Sequence, residues 1–484
     1  MNSTLPCLPI HLQNALKPLL QAFEQASVNE IWLVGGTVRD LLLGQTEIPD
    51  LDLAVPLNPV ALAKKYARAH HAGFVVLDDD RHVARLVEIH NGQMLTIDLV
   101  RFKVEGIYED LRLRDFTINA IAARLNSETL NQPLHLLDPL DGTRHLKERT
   151  LHACAKGAFI DDPLRLLRAF RFAALLELRF SPALLELLRR DAALLSGVSM
   201  ERIRDEFFKI ISVKSSIHWI RLLDELGLLR QILPELDATK GVTQNDWHHL
   251  DVFDHSLATL ERFEELLGQD WPFSGSQDVR KFLQEPISGT RTYQDSYKLV
   301  CLLHDLAKLE CRREVDGKVI FHGHEMAGVE KAEAIGERLK LANSERELLG
   351  RAIKNHMRPG VMAQQGVNDR RLFKYYSKTG REGAAIALFS LADRLAAHGG
   401  NQETDFQEFQ KTIFAIIVDF YRQMEFKKCS PLLSGDDLIK EFQLKPGPRF
   451  KEILGAVSEG QNLKTIKTRE EALEFVRQLL CENT

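Results

Sequence analysis

The chain has no Cys-x-x-Cys spacing. Its six cysteines, Cys7, Cys154, Cys301, Cys311, Cys429 and Cys481, are scattered, which excludes a zinc ribbon and points to free thiols in a reducing compartment. No stretch reaches the roughly 18 apolar residues of a membrane span. The N-terminus, MNSTLPCLPIHLQNALKPLL, has no basic segment leading into an uninterrupted apolar core. The expectation is a cytoplasmic protein with no membrane partner. Internal repeats and low-complexity tracts are also missing. Positive charge is not in excess, with 63 Lys and Arg against 68 Asp and Glu, so any nucleic-acid surface has to be a local patch.

What is present is length and ordinary globular composition: 484 residues, 44% hydrophobic and 27% charged, enough for several cores. Residues 1–30 form an N-terminal segment with an amphipathic helix over 11–27. Residues 31–150 mix strand-like runs (IWLVGG, LDLAV, GFVVLD, MLTIDLV, LHLLD) with helical ones, an α+β head. Residues 151–236 become helical and Leu-rich, an all-α neck or body. Histidines, His248 and His249 among them, become frequent after a composition shift at Asp237 to Asn245, so 237–400 reads as a separate all-α domain, with Gly268 to Thr292 a long surface loop. Residues 401–484 form a helical tail. Basic residues gather between Arg101 and Lys209, Lys103 included.

Two features of the head point to phosphate chemistry. Gly35 and Gly36 separate a strand-like run from a helix-like one, where backbone N–H groups can face a triphosphate with no Cβ in the way. Asp50 and Asp52 then fall on one face of a short strand, with Leu51, Leu53 and Val55 on the other. Such a carboxylate pair can hold two Mg²⁺ ions, although Asp after Pro49 also suits a solvated turn. Arg39 upstream favours the catalytic reading. Asp98, from a neighbouring strand, is either a third carboxylate that takes a proton from an attacking 3′ hydroxyl or a plain edge-strand charge.

Arg112 and Arg114 precede a short, apolar, helix-like run in EDLRLRDFTINAIA. Further on, Asp161, Asp162, Arg165, Arg168 and Arg171 recur at three- and four-residue intervals in FIDDPLRLLRAFRF, as if on one helical face. That face is either a salt-bridge stripe or a reader of a nucleobase edge. In the second case Asp162 accepts from the exocyclic amine of cytosine and Arg165 donates to its ring nitrogen and carbonyl.

In the next domain His255, His304, Asp305, His324, His356 and Asp393 form a spaced set on predicted helices. A single such histidine is usually a satisfied core residue, but the adjacent His304 and Asp305 inside an apolar run would be costly to bury without an ion. Imidazole with carboxylate suits Mn, Fe, Ni, Co or Zn, a divalent transition metal of open identity.

Taken together, GGTVRDLLLG (35–44), DLD (50–52), RDFTINA (114–120), LLDPLDG (136–142), DDPLRLLRAFRF (161–172) and ERIRDEFFKI (201–210) resemble the successive motifs of class II tRNA nucleotidyltransferases, the CCA-adding enzymes and their relatives. The resemblance implies a polymerase-β-like head and a tRNA acceptor end as partner, with CTP, or also ATP, as substrate and no DNA. It also implies Gly36 and Arg39 on the triphosphate, Mg²⁺ on Asp50 and Asp52, and Arg114 near sugar and phosphates. Asp162 and Arg165 would read the base, supported by Arg168 and Arg171. Two departures stand out: Leu113 where the family usually has a second arginine, and Asp161 where it has glutamate. Moreover, full CCA-adding members carry a long flexible loop after the strand that ends near Arg101, whereas here twelve residues, FKVEGIYEDLRL, separate Arg101 from Arg114. That deletion resembles the CC-adding branch, which leaves the terminal adenosine to a separate A-adding enzyme.

The histidine set resembles the HD-superfamily phosphohydrolases over about 245–395. By that likeness His255, His304, Asp305 and Asp393 bind metal, and His324 and His356 either bind a second metal or touch phosphate. Some bacterial nucleotidyltransferases resemble this chain in carrying such a domain, with phosphatase and 2′,3′-cyclic phosphodiesterase activity. The rivals are a full CCA-adding or A-adding enzyme, a poly(A) polymerase, and an HD phosphohydrolase whose head only binds RNA. Poly(A) polymerases usually end in a basic tail and lack an intact His-Asp domain. A binding module has no need of the Asp50 and Asp52 pair.

Overall fold

The computed structural model describes residues 4–80, 82–90, 92–102, 104, 106–244, 249–271, 273, 275–397, 403–426, 431–462 and 465–481; Lys103, His248 and Cys429 lie outside them. The chain divides into two compact units, residues 1–210 with 225–231, and residues 211–224 with 232–484.

The first unit is built on an eight-stranded mixed sheet. Its strands are β1 (Thr4–Leu5), β2 (Ile31–Val34), β3 (Asp50–Val55), β4 (Gly73–Asp78), β5 (Val83–His90), β6 (Gln93–Arg101), β7 (Ala122–Leu125) and β8 (Leu134–Leu137), in the order β1-β8-β7-β2-β3-β6-β5-β4. β3 and β6 pair in parallel. Alternation along β3 sends Leu51, Leu53 and Val55 into a core shared with Leu12, Leu16, Leu19 and Phe23 of the Ile10–Gln25 helix. Each such side chain contributes roughly 1.5–3 kcal/mol by leaving water. The opposite face is left to the carboxylates, and the parallel register sets Asp50 beside Thr96 and Asp52 beside Asp98.

Two expectations fail locally. The apolar run after Arg114 is not a helix: after a single 3₁₀ turn at Thr117–Asn119 the chain enters β7, which pairs with β2 from Ala122 to Leu125. Cross-strand pairing outweighs a short apolar pattern. Likewise Asp162 does not share a helical face with Arg165. The Ala158–Asp161 helix stops, Asp162 is extended (φ −149°, ψ 99°), and a new helix runs Arg165–Leu176. Pro163 is the cause, because its ring disfavours helical backbone in the residue before it.

The second unit is mainly helical. Val252–Gly268, Tyr293–Leu303, His324–Arg338, Asn343–Asn355 and Gly383–Ala397 surround the histidine set, and Glu403–Phe426, Gly435–Phe442, Pro448–Asn462 and Arg469–Cys481 follow. Gly268 to Thr292 is not one long loop. Val279, Phe282 and Leu283, spaced by three and four, bury one face of a Ser276–Gln284 helix, and Pro286–Ser288 pairs with Arg291–Thr292. Among the described residues no helix is long and apolar enough to cross a membrane. Cys7, Cys154, Cys301, Cys311 and Cys481 are free thiols.

Candidate active site and metal centre

In the first unit, Gly35 ends β2 with φ +66° and opens the Gly36–Leu42 helix. A Cβ there would come within 3.0 Å of Asp52 Oδ2 and 3.2 Å of Arg114 Nη1, so the glycine leaves room for a ligand against the carboxylate. Thr37 joins this turn to β3: its hydroxyl donates to the Asp50 carbonyl at 3.2 Å and accepts from the Asp52 N–H at 2.9 Å. Thr96 donates its hydroxyl to the Asp50 carboxylate. Burial raises the Asp52 carboxyl above its ordinary range, Arg114 opposing and Asp98 and Asp50 adding to the rise. A buried carboxylate crowded by two others is suited to a cation.

A cleft of about 460 Å³ joins Gly35, Gly36, Arg39 and Asp52 to Arg114, Asp162, Arg165, Arg168 and Arg171. The structure thus brings together in one cavity all the residues expected at the transferase site, from head and neck alike, except Asp50 and Asp98, which are not among the cleft's lining. Asp98 accepts two hydrogen bonds from Arg85, at 2.7 and 2.8 Å. Arg165 donates to the carbonyls of Leu113 (2.9 Å), Ala158 (3.1 Å) and Arg114 (3.4 Å), which take up three of its five N–H donors. Both Asp162 oxygens lie 3.3 Å from Arg202 Nη2.

Several residues in the cleft were not singled out by sequence reasoning. Asn119 accepts from Arg39 Nη1 at 2.8 Å and donates to Asp115 at 3.0 Å, while the other Asp115 oxygen holds Arg168. Phe172 lies under three guanidinium groups, with Arg171, Arg39 and Arg168 Cζ atoms 4.4, 5.2 and 5.4 Å from the ring centroid. Asp115, Asn119 and Phe172 all stand inside quoted motifs, and the signal was their polarity or aromaticity next to arginines.

In the second unit, His255, His304, Asp305 and Asp393 place one donor atom each within 4.8 Å of one another, and Asp305, His324 and His356 form a second such group. Asp305 belongs to both. Nδ1 of His304, His324 and His356 faces the carbonyl three residues back, at Cys301 (3.0 Å), Phe321 (2.8 Å) and Ile353 (2.6 Å). Each carbonyl fixes the ring with Nδ1 protonated and Nε2 turned inward, the tautomer a metal ligand needs. Nε2 of His304 and His324 and both Asp305 oxygens are buried without a well-angled hydrogen bond, as donor atoms aimed at a common ion would be. The residues fit a divalent cation.

Charge is balanced tightly here. Burial lowers the His356 imidazole to about 4, with the His304 charge adding to the effect. Burial works against the Asp305 carboxylate, yet His304 and Lys308 hold it well below the usual range. Lys308, missed by sequence reasoning although one helical turn beyond Asp305, sits 2.7 Å from it and donates to Gln244 at 2.7 Å. A cavity of about 930 Å³ opens on Asp305, His324, His356 and Asp393, with Phe321, Met357, Val361 and Phe409 as its apolar walls.

Comparisons with known proteins match most of the chain to known domains. Residues 31–152 match the Poly A polymerase head domain, 177–240 the RNA and SrmB-binding site of polymerase A, 252–398 the HD domain and 382–476 the tRNA nucleotidyltransferase domain 2. The chain is 31% identical over 457 residues to the A-adding tRNA nucleotidyltransferase of Deinococcus radiodurans, covering 92% of this chain and 94% of that one. The chain belongs to the tRNA nucleotidyltransferase family. A CC-adding tRNA nucleotidyltransferase of Synechocystis is 26% identical over 92% of this chain and 93% of its own. A solved Thermotoga maritima CCA-adding enzyme complexed with tRNA shares the fold, with a TM-score of 0.64 at 20% identity, covering 98% of this chain and 97% of that one. In this chain the α+β head precedes a largely helical body with an HD domain.

Proposed function

We propose that the chain adds CMP from CTP to the 3′ end of tRNA and stops after two additions. The observation that carries the transfer chemistry is the cleft shared by Asp52, the glycine turn and Asp162 with Arg165. The 3′ oxygen of tRNA bonds to the α-phosphorus of CTP as the bond to pyrophosphate breaks. Gly35, Gly36 and Arg39 hold the triphosphate, Arg114 steadies sugar and phosphates, and Asp98, in register with Asp52, receives the hydroxyl proton. Asp50 and Asp52 hold Mg²⁺, which when bound stabilises charge on the phosphates. Asp162 and Arg165 read cytosine, with Arg168 and Arg171 behind them, so that protein replaces a template.

The short connection from Arg101 to Arg114 supports CC addition, with a separate A-adding enzyme completing the end. The likeness to the Deinococcus enzyme favours a second reading, A addition. Three tRNA transcripts, ending before CCA, after one C and after CC, are incubated with CTP or ATP alone. CC addition extends the first two with CTP and none with ATP. Extension of the third with ATP, and of none with CTP, assigns A addition; extension of the first two with CTP and of the third with ATP, the pattern of a full CCA-adding enzyme, overturns both. [α-³²P]CTP incorporation should vanish in Asp50→Ala, Asp52→Ala protein; its persistence would leave the head a binding module.

The HD domain is proposed to be a metal-dependent phosphatase or 2′,3′-cyclic phosphodiesterase, its ion held by His255, His304, Asp305 and Asp393, with His324 and His356 binding a second ion or the phosphate. The supporting observation is the inward Nε2 geometry around Asp305. Hydrolysis of 2′,3′-cAMP that survives His304→Ala or Asp305→Ala would remove this reading.

A further inference from the structure

Beside the metal cavity lies a cluster of cations that neither activity uses. Lys354, at the end of the Asn343–Asn355 helix, and Lys374 and Lys378, on the Asp369–Thr379 helix, are exposed, and Arg358 is half-buried on the Met357–Gln365 helix. Lys374 and Lys378 are four residues apart and share a face. The helix that carries Lys354 packs against the one that carries Lys374 and Lys378, and the Arg358 charge, burial, and the charges of Lys354 and Lys374 lower the Lys378 ammonium from its ordinary value. Neighbouring arginines are already engaged: Arg370 pairs with Glu459, Arg351 with Glu382, and Arg371 donates to the carbonyls of Gln365 and Gly366. Among the described residues no carboxylate pairs with these four, and Arg358 Nε is buried without a hydrogen bond.

Uncompensated positive charge repels itself, and in a chain of net charge −5 its concentration on one surface is the footprint of an anion. Arg358 directly follows Met357, and Met357, Gly360 and Val361 on the same helix form part of the cavity wall that holds His356 and Asp305. We propose that Lys354, Arg358, Lys374 and Lys378 are a docking surface for the phosphate backbone of RNA, which leads the 3′-terminal phosphate of that RNA to the His-Asp cavity. The docking rests on the charge cluster alone; the delivery rests on the phosphohydrolase reading above.

The test compares the full-length protein with a Lys354→Glu, Lys374→Glu, Lys378→Glu variant and with the milder triple glutamine variant, both checked for an unchanged melting midpoint. Binding of a tRNA transcript is followed against salt. The slope of log affinity on log salt should become shallower by about one unit per lysine, with the glutamine variant intermediate. Hydrolysis of a 2′,3′-cyclic phosphate at the end of that RNA should lose about tenfold through KM, while 2′,3′-cAMP hydrolysis stays as it was. Equal salt slopes in all three proteins overturn the docking surface, as does binding to phosphatidylserine vesicles without any to RNA. Weakened RNA binding with both hydrolyses unchanged overturns the delivery. If no cyclic phosphate is cleaved by any protein, the phosphohydrolase reading fails, and the salt slopes still decide the docking.

Discussion

Arg168 donates two hydrogen bonds to one oxygen of Asp115, at 3.0 and 2.6 Å, while the other oxygen accepts from Asn119 and from the Phe116 N–H. Through Asn119 this pair reaches Arg39 on the helix that opens at the glycine turn, so the two walls of the cleft are joined by a buried polar network. Burial by itself would raise the Asp115 carboxyl, but Arg168 and these hydrogen bonds bring it below its ordinary value. A depressed carboxyl adds stability that is full above the unfolded value, near 4, and is lost as pH falls through the folded one. Asp115→Asn should cost about 2–3 kcal/mol at neutral pH, since Arg168 keeps some solvent. Urea unfolding between neutral pH and acid should show the variant losing less stability below about pH 4 than the parent. Parallel losses would show that the pair does not control acid sensitivity.

Phe172 carries the second relationship across the cleft. Phe172→Leu removes the ring under three guanidiniums, a loss of about 1–2 kcal/mol, and should raise KM for the nucleotide roughly 5- to 30-fold with a smaller change in kcat. Phe172→Tyr keeps the ring and should behave like the parent. Steady-state incorporation of labelled nucleotide distinguishes them; a tyrosine variant as poor as the leucine one would point to packing alone.

Gly35→Ala tests the cradle. The new methyl meets Asp52 Oδ2 at 3.0 Å in a backbone with φ +66°, which costs about 1–2 kcal/mol for an L residue. Transfer should fall at least about 100-fold, because a small displacement of reacting groups is that expensive, while circular dichroism still reports a folded chain. Full activity in this variant would mean the triphosphate sits elsewhere.

Glu382 offers the opposite pH dependence. Burial pushes its carboxyl up to about 7 despite the Arg351 charge. A raised carboxyl binds its proton more tightly in the folded state, so stability is lost as pH rises from the usual carboxylate range through about 7. Glu382→Gln should therefore gain about 1–3 kcal/mol relative to the parent at pH ~8 and little at pH ~5. Denaturant midpoints at the two pH values are the measurement. An equal deficit at both would give the Arg351 pair the greater weight.

Asp305 is shared by the two candidate ligand groups. Asp305→Asn should strip the protein of bound transition metal as read by mass spectrometry of the purified chain, whereas His324→Ala, in one group only, should retain an ion. Unchanged metal content in Asp305→Asn would place the ion elsewhere.

The sequence by itself determined the inventory of chemistry and those elements, β3 among them, whose pattern is strictly local. Period-two alternation places Asp50 and Asp52 on one face of β3 and Leu51 and Leu53 on the other, because a strand can do nothing else with that pattern. An adjacent His304 and Asp305 in apolar surroundings announces a buried polar cluster for the same local reason. What only the tertiary structure decided is which distant groups meet. Pro163 breaks the stripe that spacing had drawn through Asp162 and Arg165, and three carbonyls take up much of the Arg165 guanidinium. Arg85 reaches Asp98 across strands, and Asn119 and Asp115 join Arg39 to Arg168 across 129 positions of chain. Such contacts are set by register and packing between remote segments, and no local period carries that information.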